Sequence, residues 1–334
     1  MTNIPAKMKA FELTSYTADK DSFRVVEKDT PKVKENGVVL KMAASPINPS
    51  DLAFVRGMYG VKKRLPVVPG FEGSGTVVAC GSEVKNIKVG MRVSCTASFT
   101  GDGTWAEYMA TSEENCLPLT DEVTLEEGAA FFVNPLTAWI MVSIAEEGGH
   151  KAIVQTAAAS ALGKMVQKLC RRKNIPVINI VRRQEQVDDL QQLGSEYVLN
   201  SNDDKFLREL KKTSKKLEAT FVLDAVAGQL LFDVLTAMPY ASKALVYGAL
   251  SEQAIPVNAG VLIFQKKSIE GFWLTSWLHE QGQEKVIAVA KEAQKYLKTD
   301  LHTEIYKKFS VEDAYEAIEC YKENMSKGKV LIGS

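Results

Sequence analysis

The chain is poor in the residues that build metal and disulfide sites. Five cysteines, Cys80, Cys95, Cys116, Cys170 and Cys320, are scattered over 334 residues with no CxxC spacing. An odd, dispersed set suits a reducing compartment and argues against a disulfide framework or a compact cysteine zinc site. Cys80 and Cys95 read as small buried apolar residues. The three histidines, His150, His279 and His302, lie far apart with no ligand spacing. Net charge is missing too: 41 basic residues balance 41 acidic ones. No overall field therefore draws the chain to nucleic acid or to an anionic membrane. No apolar run approaches the roughly 20 residues of a membrane span. The opening residues, MTNIPAKMKA, carry neither a secretory apolar core nor an Arg-rich amphipathic pattern,. The expectation is a cytoplasmic protein acting on a small molecule, with no membrane and no nucleic-acid partner.

What is present is enough apolar residue, 46%, to fill two cores in a chain of this length,. Residues 151–183 organise it. Ala152–Gln155 is an apolar run long enough for one buried strand. Thr156–Gly163 is almost all small residues, and Lys164–Arg172 repeats apolar residues at helical spacing. After Pro176, Val177–Val181 is a second buried-strand run. Strand, tight turn, helix and strand form the first unit of a dinucleotide-binding fold. The turn reads A-x-S-x-x-G, with Ala158, Ser160 and Gly163 in place of three glycines. These residues are small enough for backbone to approach a pyrophosphate at a helix start. An ordinary strand–helix crossover uses the same residue types. Past the second strand, where NAD-binding units place a carboxylate, stand Arg182 and Arg183,. A guanidinium favours the 2′-phosphate that a carboxylate repels, so the expected cofactor is NADPH. The plainer reading is two arginines on a solvated loop.

Residues 7–45 break into strand-like runs, MKAFEL, FRVVEKD and GVVLKMAAS,. SPINPSD then leads through a loop into a short helix, and glycine-punctuated β patterns continue to about residue 110. This half reads as a partly open β-barrel. From Leu125 the period turns helical, with a break expected near Pro135. After Arg183 follow a helix ending at Gly194, a strand at Tyr197–Leu199, a helix over about 203–215 and three strands in FVLDAVAG, ALVYGALS and SIEGFWL. Strands alternating with helices imply a doubly wound parallel sheet, with ligands at the carboxyl ends of its strands. Residues 279–325 hold two helical patterns, and KGKVLIG closes with a strand.

Taken in order, INPSD (47–51), PGFEGSG (69–75), VGMRV (89–93), GTWAEY (103–108), NPLTAW (134–139), AAASALG (157–163), LDAVAG (223–228), EGFW (270–273) and GKV (328–330) resemble the medium-chain dehydrogenase/reductase superfamily over nearly the whole chain. The resemblance implies an α/β protein: a GroES-like catalytic domain, residues 1–122 and 278–334, around a Rossmann NADP-binding domain, residues 123–277. Zinc alcohol dehydrogenases carry Cys where this chain has Asn48 and His where it has Phe71, and their four-cysteine lobe has no counterpart. The resemblance therefore runs to the zinc-free quinone-reductase and enoyl-thioester-reductase branches, with no metal expected. It implies hydride transfer from NADPH to an activated C=C or a quinone. The alternative is a non-enzymatic NADPH-binding protein with a structural or RNA-binding role.

Without zinc, hydrogen-bond donors must stabilise the charge that develops on the substrate carbonyl. Tyr59 in RGMYG matches the proton donor proposed for enoyl reductases, or is a packing tyrosine. Asn48 is a second candidate donor, or a turn-former beside proline. Asn134 and Thr137 match residues beside the nicotinamide and its ribose. Ser160, Ala161, Leu162 and Gly163 would meet the pyrophosphate, and Arg182 and Arg183 the 2′-phosphate. Tyr247, Gly248, Ala249 and Leu250, at a strand end, would touch the cofactor through backbone. Phe272, Trp273 and Leu274 would meet the carboxamide edge. Lys329 would reach the ribose or phosphates, or is an exposed lysine without a role. In related enzymes the sheet edge ending at EGFW pairs across a two-fold axis, which implies a homodimer.

Overall fold

The computed structural model describes residues 4–325 and 327–333. The chain divides into two compact units. The first runs to Leu136 and resumes at Gln283; the second is Thr137–Gly282.

The first unit opens with β1 (Lys7–Leu13) and β2 (Phe23–Asp29), an antiparallel pair in register from Lys7↔Asp29 to Leu13↔Phe23. Then come β3 (Gly37–Pro46), α1 (Pro49–Val55), β4 (Glu72–Cys80), β5 (Arg92–Thr96), β6 (Tyr108–Ser112), β7 (Cys116–Pro118), α2 (Leu125–Ala129) and the start of α3 (Asn134–Glu147). The second unit follows: β8 (Ile153–Gln155), α4 (Ala161–Arg172), β9 (Val177–Val181), α5 (Gln184–Gln192), β10 (Tyr197–Asn200), α6 (Phe206–Lys216), β11 (Phe221–Asp224), α7 (Gly228–Ala237), β12 (Lys243–Val246), α8 (Ala259–Gln265), β13 (Ser268–Gly271) and α9 (Leu274–Gln281). The chain returns to the first unit with α10 (Gln283–Gln294), β14 (Ile305–Ser310), α11 (Ala314–Asn324) and β15 (Lys329–Gly333).

In the first unit the strands run β14-β15-β3-β4-β5-β7, with β6 also pairing with β3. The long strand β3 is mostly apolar and buried, paired with β15, β4 and β6. Its Leu40 and Met42 pack with Val77 and Val93, while Trp105 sits fully buried in a second cluster with Phe11 and Val39. The glycine punctuation has a steric cause: a Cβ on Gly103 would lie 2.2 Å from the Pro69 carbonyl oxygen. Only a residue without a side chain lets those two loops approach so closely.

The second unit is a parallel sheet of order β10-β9-β8-β11-β12-β13. Read outward from the centre, one half advances through β8, β9 and β10, and the other through β11, β12 and β13. The topological switch point is therefore between β8 and β11, where ligands bind in such sheets. Val154, Ile178, Ile180, Val222 and Ala244 pack beneath Leu210, Leu231, Val234 and Leu235 from α6 and α7. The fold is the one the sequence implied.

One local expectation is refined and two elements are added. The expected interruption near Pro135 falls between α2 and α3, and Pro135 itself lies in the first turn of α3. Proline is favoured in a first turn because its missing N–H has no helical partner to lose. Residues 305–310, passed over in the sequence, form β14, which pairs parallel with β15. Its pattern IYKKFS is mostly exposed, as an edge strand allows, so it lacks the alternation of a half-buried strand,. The helix α8, also unforeseen, leaves no residue buried.

Candidate active site

In the first unit an acidic cluster is closed around one lysine. Asn48, Asp51, Glu72 and Lys329 are all buried. Asn48 precedes α1, and its backbone N–H donates to Asp51 Oδ2 at 2.8 Å. Asp51 Oδ1 accepts from the Phe71 N–H at 3.0 Å, tying α1 to the loop before β4. The Asn48 side chain donates through Nδ2 to Glu72 Oε1 at 2.7 Å and accepts through Oδ1 from the Lys329 ammonium. Lys329 also donates to the Ile47 carbonyl at 3.3 Å, and Glu72 Oε2 accepts from the Val133 N–H at 2.8 Å. Burial pushes Asp51 up to about 7 and raises Glu72, while it lowers Lys329. Two acids share one ammonium here, so the cluster is neutral when one of them keeps a proton.

Beside this cluster lies Tyr59, half-buried, its ring centroid 4.7 Å from that of Phe71. Phe71 in turn meets Phe54 edge-on at 5.3 Å. The chain beyond Tyr59 is pinned by Lys63, a buried residue whose ammonium donates to the carbonyls of Ser98 and Gly101 at 2.8 Å each. Burial lowers that ammonium to about 8.

In the second unit the turn after β8 enters α4 through Ser160, whose hydroxyl accepts from the Gly163 N–H at 3.1 Å. The cap leaves the N–H groups of the first turn facing outward, as an anion requires. A Cβ on Gly163 would lie 2.5 Å from the Ala158 carbonyl oxygen, so glycine there lets the helix close onto the turn,. Gln155 braces the turn from below, donating to the Gly163 carbonyl at 3.0 Å and to Asn179 Oδ1 at 2.7 Å. Across the switch point Thr156 donates to Asp224 Oδ1 at 2.7 Å, and Asp224 Oδ2 accepts from the Ala227 N–H at 2.7 Å. The Tyr247 hydroxyl is buried with no hydrogen-bond partner among the described residues.

Two family models match the chain: the alcohol dehydrogenase GroES-like domain over residues 34–121 and the zinc-binding dehydrogenase over residues 161–294. The Caenorhabditis elegans mitochondrial enoyl-(acyl-carrier-protein) reductase is 30% identical over 90% of this chain and 88% of its own length. The chain belongs to the medium-chain dehydrogenase/reductase superfamily. The Arabidopsis thaliana mitochondrial enoyl-(acyl-carrier-protein) reductase is 33% identical over 76% of this chain and 69% of its own. A Mesorhizobium loti structure, assigned as an NADPH:quinone reductase, matches the full length of both chains with a TM-score of 0.91 and 34% identity. Within the superfamily Asn48 and Phe71 supply neither thiolate nor imidazole, which places this member in the zinc-free branch,.

Two of the residues singled out from the sequence are engaged inside the first unit. Lys329 does not lie open to a ribose or phosphate: it is 4% exposed and committed to Asn48 and Ile47. Asn48 is not an open donor either, being 1% exposed with its amide held between Lys329 and Glu72. Of the other candidates, Arg182, Arg183, Ser160, Ala161, Ala249, Leu250 and Trp273 are exposed. Asn134, Tyr247, Gly248, Phe272 and Leu274 are half-buried, and Thr137, Leu162 and Gly163 are buried. Asn134 and Thr137 share one face of α3, three residues apart,. Cys95 is buried, but Cys80 is half-exposed. Glu72, Asp51 and Gln155 were not picked out from the sequence; an acid inside the glycine-rich, otherwise apolar stretch PGFEGSG was the one available signal. Among the described residues no group of three His, Cys, Asp or Glu side chains is arranged to hold a metal ion, and no helix is long and apolar enough to cross a membrane.

The cluster predicts a pH dependence of stability. Asp51 titrates near its ordinary value of 3.8 when unfolded but at about 7 when folded. The folded state thus holds the proton more tightly. The resulting stabilisation is complete below the unfolded value and is lost as pH rises through about 7,. Urea midpoints of the wild type should fall from pH 5 to pH 8, and those of Asp51→Asn should fall less steeply.

Proposed function

We propose that this chain is an NADPH-dependent reductase of activated double bonds, with a carrier-linked enoyl thioester as its preferred class and quinones as secondary acceptors. The observation that carries the cofactor assignment is the pair Arg182–Arg183, exposed just beyond β9 in the unit whose small-residue turn opens α4. The residues present fit that cofactor. The outward N–H groups of Ala161 and Leu162 suit the pyrophosphate, the arginines suit a 2′-phosphate, and the unpartnered Tyr247 hydroxyl suits a polar group of the dinucleotide,. NADPH supplies the hydride when bound. The chain's contribution on the acceptor side is a neutral donor. Tyr59 offers its phenol to the carbonyl oxygen on which negative charge develops, and the proton for the adjacent carbon.

The carrier-linked class is favoured by charge around Tyr59. Residues 52–70 contain no acid but hold Arg56, Lys62, Lys63 and Arg64, and all but Lys63 are exposed. A chain with no net charge carries cations and no acid along the segment that holds its candidate donor, which suits an acceptor carried on phosphates rather than a neutral quinone,. The related enzymes are reductases, and the non-enzymatic alternative is set aside with them. Cytoplasmic residence and a homodimer complete the reading. The strand β13 is a sheet edge with little burial, and the same unit exposes Ile263 (69%), Phe264 (80%) and Trp273 (45%). An unpaired edge beside exposed apolar side chains is the signature of a self-complementary contact.

Three measurements test this reading. Tyr59→Phe should lower kcat for crotonyl thioester by about 10²- to 10⁴-fold with NADPH affinity unchanged. The loss should be smaller for 9,10-phenanthrenequinone, whose product takes protons from water. Full activity on both would remove Tyr59 from the chemistry. Arg182→Ala should weaken NADPH binding roughly tenfold or more and leave NADH binding unaltered. Equal losses would make the arginine merely structural. Light scattering should give twice the chain mass of 36.7 kDa, and Phe264→Glu should shift it to the single-chain value.

A further inference from the structure

Lysine on an apolar strand ordinarily carries its ammonium to water. In β15 the pattern KVLIG buries everything up to Ile332, and Lys329 is buried with it. Burying charge in this way contributes little or nothing to stability compared with apolar packing. The Lys329 cluster also has a definite internal direction. An ammonium only donates and a carboxylate only accepts. The Asn48 amide between them therefore has one possible orientation, Oδ1 towards Lys329 and Nδ2 towards Glu72. What it orients continues outward on two sides. Asp51 and Glu72 bracket Phe71, whose N–H is bonded to Asp51 and whose ring lies against Tyr59. Glu72 also holds the Val133 N–H, one residue before Asn134.

We propose that Lys329 is a positioning residue for the reduction, fixing through Asn48 and Glu72 both the Phe71 ring beside Tyr59 and the backbone that presents Asn134. The proposal rests on the reductase reading for what is being positioned. The groups facing the ammonium are Asp51 from α1, Glu72 from β4 and the Tyr321 ring from α11, 5.6 Å away; Cys95 on β5 senses the Glu72 charge. Burial raises the Tyr321 hydroxyl and the Cys95 thiol, so both stay neutral through the physiological range. Only the two acids change charge with the ammonium in place. With Lys329 removed, Glu72 loses its counter-charge. It then takes a proton at low pH or stays ionised and uncompensated at high pH, and in both states the Asn48 amide loses its fixed orientation.

The test uses the full chain labelled with 3-fluorotyrosine, the Tyr59 signal being assigned by its loss in Tyr59→Phe. Lys329→Met should move the Tyr59 fluorine resonance and lower kcat for crotonyl thioester by roughly tenfold at pH 8. The loss should persist at pH 6, because the Asn48 amide is released whether or not Glu72 holds a proton, and NADPH affinity should stay within about twofold of wild type. Glu72→Gln, which keeps the volume but cannot accept from both Asn48 and Val133, should move the same resonance equally at both pH values. It decides the matter if Lys329→Met does not fold. A lowered melting temperature with the Tyr59 resonance and kcat unchanged in either folded variant would overturn the proposal and leave Lys329 a structural residue. If the wild type reduces no acceptor, the reductase reading fails, and the fluorine resonance still reports whether Lys329 positions Tyr59.

Discussion

The first unit depends on a charge it has chosen to bury. Lys329 is one cation facing two acids, and each of the acids also accepts backbone N–H groups. Those bonds gather the loop before α1, the loop before β4, the turn before α3 and the strand β15 at one place. Apolar packing would hold these segments near one another but would tolerate sliding. Donor and acceptor chemistry does not, because a displaced buried charge is left without a partner. In zinc-dependent relatives position 48 is a cysteine and position 71 a histidine. Here the same two positions carry an amide in the network and an aromatic ring under Tyr59, so the site is organised by internal hydrogen bonds.

The second unit solves a different problem with opposite means. Its turn must let backbone meet a large anion, so it is stripped of bulk: Ala157, Ala158, Ala159, Ser160 and Ala161 run in sequence. Small residues alone would leave the turn soft. Stiffness comes from below and from the side. Gln155 bonds the carbonyl of Gly163 and the amide of Asn179, so β8, β9 and α4 are cross-linked at one point. Thr156 and Asp224 clasp the two halves of the sheet where its order reverses.

Much of this was legible in the residues. The apolar runs of the inner strands β8, β9 and β11 are uninterrupted because both faces are covered, while the edge strands β10 and β13 bury no residue,. The turn before α4 announces itself by size. What was hidden depends on contacts remote in sequence. Nothing near GKV distinguishes a lysine bound for the interior from one bound for water, because the groups that receive it lie in INPSD and GFEG. The same distance concealed the closure of Asn48, which in isolation is simply a polar residue between two prolines. Pro135 signalled the interruption but not its side: only the structure places the proline in the first turn of the second helix. The strand β14 was hidden by its exposure, since an edge strand need not alternate.

The order of the elements along the chain bears on how the molecule is made. Asn48 and Lys329 are separated by 281 residues, and the whole of the second unit lies between them. The second unit is continuous, so all its contacts are available once Gly282 has been synthesised. The first unit has no counter-charge for Asp51 and Glu72 until β15 emerges and inserts between β14 and β3. A contact so remote along the chain is made late, after the local contacts of the second unit are available,.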